Sequence, residues 1–130
     1  MRILFCEDHA LLRKLITLSM RGTAHEFWVA ASGPQAIEIA GRVRPEALVT
    51  DVVMPGMDGF ELVTRLRAEP SLRDIRVVFM TASADVADVS AAMKPYRYLP
   101  KPFGPADLRA ALVALERDSP SAAGRAGVDR

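Results

Sequence analysis

The chain has 130 residues, half of them hydrophobic and a quarter charged, with a formal net charge of +1. That length suits one domain whose core needs no disulfide or structural metal. The balanced charge excludes the strong positive field of a dedicated nucleic-acid binder, and the single cysteine excludes an internal disulfide or a cysteine-rich zinc site.

Residues 3–6 form a short apolar run of strand length, in which Cys6 reads as a buried small hydrophobe. The run is short and Glu7 and Asp8 follow it, so it is not expected to be a signal peptide. Leu11, Leu12, Leu15, Ile16 and Leu18 then fall near helical spacing. A second strand is expected over residues 27–31, with Trp28 as packing or surface. Ser32 and Gln35 have capping-box spacing before Ala36, Ile37, Ile39 and Ala40.

A third strand at residues 47–50 ends on Asp51, and Asp58 with Glu61 caps a helix carrying Phe60, Leu62, Val63 and Leu66. The fourth strand, 77–80, is followed by Thr81, and a fourth helix is expected through Val86, Val89, Ala92 and Met93. The fifth strand, 98–99, is followed by Lys101. Pro105 then sits at a first helical turn before Leu108, Ala111, Leu112 and Leu115. The domain is expected over residues 1–117. The small, polar tail 118–130 reads as a disordered end or a linker stub. No apolar run approaches a membrane span, and a cytoplasmic setting fits.

Strands alternating with helices imply an α/β fold, a doubly wound five-stranded parallel sheet with helices on both faces. Sites in such sheets form beyond the carboxyl ends of the strands. Glu7, Asp8, Asp51, Thr81 and Lys101 all stand at those ends. Clustered carboxylates repel one another, and a hard cation with oxygen ligands such as Mg²⁺ offsets that. A carboxylate nucleophile beside a cation, an ammonium and a hydroxyl is what phosphoryl transfer to an aspartate needs. Asp8 alone is equally suited to cap a helix beginning near Ala10. His9 and His25 lack metal-ligand spacing, and the arginines at 42, 44, 65, 67, 73 and 76 read mostly as solvated charges.

Four motifs in order carry a family likeness: Ile3-Leu4-Phe5-Cys6-Glu7-Asp8, the stretch from Leu48 through Asp51 to Gly59, Val78-Phe79-Met80-Thr81-Ala82, and Tyr98-Leu99-Pro100-Lys101-Pro102-Phe103. The chain resembles the receiver domain of bacterial two-component response regulators. The resemblance implies a flavodoxin-like receiver fold with five helices and strand order 2-1-3-4-5. It implies that Asp51 is the phosphoacceptor and that Glu7, Asp8, Asp51 and the Val53 backbone carbonyl hold Mg²⁺. Lys101 would pair with Asp51 and then with the phosphoryl group. Thr81 and Tyr98 would form the switch, and the Lys101–Pro102 peptide would be cis.

The implied donor is a histidine kinase or a phosphotransfer protein. The implied output is a downstream protein partner on the face of the fourth helix, fifth strand and fifth helix, with no direct nucleic-acid or membrane binding. The domain would be a signalling switch rather than a turnover enzyme. One alternative is the receiver portion of a longer DNA-binding regulator. Another is an aspartyl-phosphate phosphatase, disfavoured because Val53 stands where a second acid is needed; a flavodoxin-like electron carrier lacks its phosphate loop here. Two departures stand out. Lys94 and Pro95 occupy positions where the family usually has Gly-Ala, which bears on the signalling face. Val53 and Ser83 occupy the positions that tune dephosphorylation, and Val53 has no polar side-chain atom to orient water, which implies a long-lived phosphoaspartate.

Overall fold

The computed structural model describes residues 1–82 and 96–118. In chain order these form β1(Arg2–Cys6), α1(Ala10–Met20), β2(Glu26–Ala30), α2(Gly33–Val43), β3(Ala47–Asp51), α3(Gly59–Arg67), a 3₁₀ turn at Pro70–Leu72, β4(Arg76–Ala82), β5(Arg97–Lys101) and a C-terminal helix, Pro105–Arg117. The helix expected through Val86–Met93, together with Ser83, Lys94, Pro95 and the tail beyond Asp118, lies outside the described residues.

All strands pair in parallel in the order β2-β1-β3-β4-β5. β3 is buried throughout and β1 from its second residue, as strands covered on both faces must be. β2, at the sheet edge, is mostly half-buried.

Side chains alternate across the sheet and so build two cores. Leu4, Leu48, Val77 and Phe79 pack under α2 and α3 with Ile39, Leu62 and Leu66. Ile3, Phe5, Val49, Val78 and Met80 pack under α1 and the C-terminal helix with Ile16, Leu108, Leu112 and Leu115. Phe5 and Phe79 are the bulkiest fully buried side chains, one in each core. Full burial of a side chain of that kind contributes roughly 1.5–3 kcal/mol.

The helix starts follow local chemistry. Ser32 Oγ accepts from the Gln35 amide, while Gln35 Oε1 accepts from the Ala31 amide. Asp58 Oδ1 accepts from the Glu61 amide at 2.8 Å. Pro105 opens the C-terminal helix after Gly104, whose amide donates to Asp107 Oδ2 at 2.9 Å. Asp8 does not cap α1: the N-cap residue is His9, and it makes no side-chain cap bond. The Lys101–Pro102 peptide is cis.

Two elements are longer than the apolar runs suggest. Thr81 lies inside β4 and Lys101 is the last residue of β5. Their polar side chains hid strand residues whose backbones still pair, Thr81 with Pro100 and Ala82 with Lys101.

Candidate functional site

The register of the sheet assembles the site. β1 and β3 are neighbours whose chains continue to opposite sides, to β2 and to β4, so a crevice opens at their carboxyl ends. Cys6 pairs with Thr50, which sets Glu7 beside Asp51. Asp51 pairs with Met80, so Thr81 stands one residue further along the next strand.

Asp51 is 2 % exposed and Glu7 is fully buried. Lys101 Nζ lies 2.5 Å from Asp51 Oδ1 and 3.1 Å from Glu7 Oε1, bridging the two carboxylates. Glu7 Oε2 accepts from the His9 amide at 3.0 Å. Among the described residues, Asp51 Oδ2 is buried with no hydrogen-bond partner.

Glu7, Asp8 and Asp51 each offer an oxygen, all within 4.8 Å of one another, and Asp8 is the exposed member. Burial pushes the Asp51 carboxyl up to about 8; Glu7 adds to the rise and Lys101 opposes it. Burial acts to lower the Lys101 pKa, but Asp51 and Glu7 outweigh it and leave the net shift upward. Two buried carboxylates share the single ammonium of Lys101, so the cluster is short of positive charge. An all-oxygen donor set with one buried, unpartnered carboxylate oxygen fits a hard divalent cation.

The loop after β3 is shaped to hold Asp51. The Val52 amide donates to Met80 O at 3.1 Å, and the Gly59 amide donates to Val52 O at 2.8 Å. A Cβ on Gly59 would overlap the Asp51 carbonyl oxygen, so only glycine lets α3 begin so close to the strand end. Beside Asp51 lies a cleft of about 140 Å³ lined by Asp51, Val53, Met80, Thr81, Ala82 and Lys101. Organic substrates usually occupy roughly 300–1,000 Å³, so this cleft suits a group of phosphoryl size.

Thr81 is buried and its hydroxyl donates to Ala82 O at 3.2 Å. Val53 is 68 % exposed at the cleft mouth. Tyr98 is half-buried against the core under α2 and α3, one strand from Phe79, and does not line the Asp51 cleft. Cys6 is buried beneath the site with its thiol pushed up to about 12, chiefly by burial, so it is a packing residue and not a nucleophile.

Two arginines have roles that sequence reasoning missed. Arg13 Nη1 donates to the carbonyls of Glu7 and Asp8. Arg67 is not a solvated charge. It lies over the Tyr96 ring and donates to the Tyr96 hydroxyl and to Ile75 O, each at 2.7 Å. Helical spacing gave no signal for either, since both partners are remote or backbone atoms.

An acidic pocket with a lysine across it, at the switch point of a 2-1-3-4-5 parallel sheet, defines an aspartate-centred receiver. The chain belongs to the response regulator receiver domain family, which matches residues 3–113. It is similar to the response regulator MprA of Mycobacterium leprae, at 35 % identity over 119 residues, covering 90 % of this chain and 51 % of that protein. It is also similar to the DNA-binding response regulator MtrA of Mycobacterium tuberculosis, at 32 % identity over 118 residues, covering 89 % and 50 %. The chain spans about half the length of the curated relatives it matches. The chemotaxis response regulator CheY4 of Vibrio cholerae superposes with a TM-score of 0.79 at 24 % identity, covering 88 % of this chain and 97 % of that one, a likeness of fold.

Proposed function

We propose that Asp51 accepts a phosphoryl group from a histidine kinase or a phosphotransfer protein, and that the domain is a signalling switch without a turnover activity of its own. The observation that carries this reading is a buried carboxylate with one oxygen held by Lys101 and the other without a hydrogen-bond partner among the described residues, facing a cleft of phosphoryl size.

An Asp51 oxygen attacks phosphorus in line, the bond from phosphorus to the donor breaks, and the donor leaves with the electron pair. Lys101 then neutralises charge on a phosphoryl oxygen, and Thr81, lining the same cleft, donates its hydroxyl to another. Glu7, Asp8, Asp51 and the Val53 carbonyl would hold Mg²⁺, which supplies charge neutralisation of the phosphoryl oxygens. Movement of Thr81 would favour the inward position of Tyr98 and bias a pre-existing two-state equilibrium. A downstream protein would read that change on the face of β5 and the helices beside it.

The size of the cleft and the apolar side chain of Val53 weigh against a phosphatase acting on organic monoesters. A cytoplasmic location agrees with this role. Among the described residues, no helix is long and apolar enough to cross a membrane. A second reading places the domain within a longer DNA-binding regulator, with residues 118–130 as linker. It is favoured by the half-length match to relatives such as MtrA, itself a DNA-binding response regulator.

The test is incubation with a small acyl phosphate. Acid-stable protein label should be absent, and acid- and base-labile acyl-phosphate label should appear with Mg²⁺ and vanish with a chelator. Label independent of the cation would overturn the reading.

A further inference from the structure

Arg13 reaches back over the first turn of α1. Its Nη1 donates to two backbone carbonyls at once, Glu7 O at 3.1 Å and Asp8 O at 2.9 Å. One guanidinium therefore holds both peptide planes that aim the acidic pair. Glu7 has further anchors: its amide donates to Ala30 O at 3.0 Å, and its carboxylate takes the His9 amide and Lys101. Asp8 has none of these. Its side chain is exposed, and among the described residues its carboxylate has no hydrogen bond or ion pair. The direction of Asp8 is thus set through its backbone, and its carbonyl is what Arg13 grips.

We infer that Arg13 is a positioning residue for the cation site, holding the Asp8 carboxylate towards Asp51 by clamping the carbonyls of Glu7 and Asp8. The inference rests on the reading of Mg²⁺ binding above. Two features suit Arg13 to the role. It orders the β1–α1 loop in advance, so ion binding need not supply that ordering. Among the described residues it also bonds only carbonyl oxygens, so its permanent charge takes up no carboxylate oxygen. A cation paired directly with Asp8 would instead occupy the oxygens that a metal needs.

The test titrates metal-free protein with MgCl₂, followed by the amide chemical shifts of the site, with thermal melting in parallel. Arg13→Gln should weaken Mg²⁺ affinity about tenfold, the lower end of what removing a group that orients metal ligands does. Arg13→Lys keeps the charge and one reach to a carbonyl, so it should lose less. In labelling with a small acyl phosphate, Arg13→Gln should need more Mg²⁺ for half-maximal rate yet approach the wild-type limiting rate at saturation.

A merely structural role would lower the melting temperature and leave the Mg²⁺ midpoint unmoved. That result overturns the inference and leaves Asp51 as phosphoacceptor untouched. Should Arg13→Gln fail to fold, Arg13→Lys decides by the same criterion, an unmoved midpoint counting against the clamp. Wild-type protein that binds no Mg²⁺ would overturn this inference together with the metal reading beneath it.

Discussion

Ionised Asp51 is a burden on the metal-free fold, and its removal should show this as a function of pH. The folded carboxyl stands at about 8 against 3.8 for the free group. At 1.36 kcal/mol per unit, that rise separates the two protonation states by roughly 6 kcal/mol, an upper bound because Glu7 and Lys101 titrate with it. The sign follows from proton counting. Between pH 3.8 and about 8 the folded protein keeps a proton that the unfolded chain has released. Stability is therefore full below the lower value and falls as pH rises through the window, by up to about 1.4 kcal/mol per pH unit.

Asp51→Asn has no such proton and should lack this slope. In chelator, urea unfolding from pH 5 to 8.5 should show the variant gaining on wild type as pH rises, by about 2 kcal/mol or more across the range. Mg²⁺ competes with the proton and should stabilise wild type more at pH 8 than at pH 6, with little effect on the variant. Parallel pH profiles for the two proteins in chelator would refute the reasoning.

Gly59→Ala should lower stability by about 1–3 kcal/mol, because the new Cβ meets the Asp51 carbonyl oxygen, and should slow acyl phosphate labelling; unchanged urea midpoint and rate would count against the close approach. Tyr96→Phe removes the acceptor of Arg67 Nη1, a guanidinium whose Nε has no partner among the described residues, and should cost about 1–3 kcal/mol in urea unfolding. Val53 offers no polar side-chain atom at the cleft mouth, so phosphoaspartate should be slow to hydrolyse. Val53→Glu should speed phosphate release about tenfold or more if it orients water as a general base does, and loss from wild type within seconds would oppose this.

The parts of this fold that were legible in the sequence are those written in local chemistry. The apolar runs marked all five strands, and Ser32, Asp58 and Pro105 marked helix starts that the structure places there. Glu7, Asp51, Thr81 and Lys101 were legible because strand ends in a parallel sheet must converge. The rest depended on long-range geometry. Asp8 was legible as a member of the acidic cluster, but its alternative role as a cap stayed open until the backbone showed His9 in that position. Arg13 gave no signal in the sequence and Arg67 read as a solvated charge, because their partners are carbonyls and an aromatic ring brought close by folding. Glu7 as the second partner of Lys101 was equally hidden, since nothing in its neighbours tells of its complete burial.

The central claim is that one carboxylate takes the phosphoryl group. Wild-type protein and Asp51→Asn are each treated with acyl phosphate and Mg²⁺, the adduct is trapped by borohydride reduction, and the modified residue is mapped by peptide mass spectrometry. The account requires reduction product at position 51 of wild type and none in the variant. Equal modification of both, or wild-type product at another carboxylate such as Glu7 or Asp8, would contradict it.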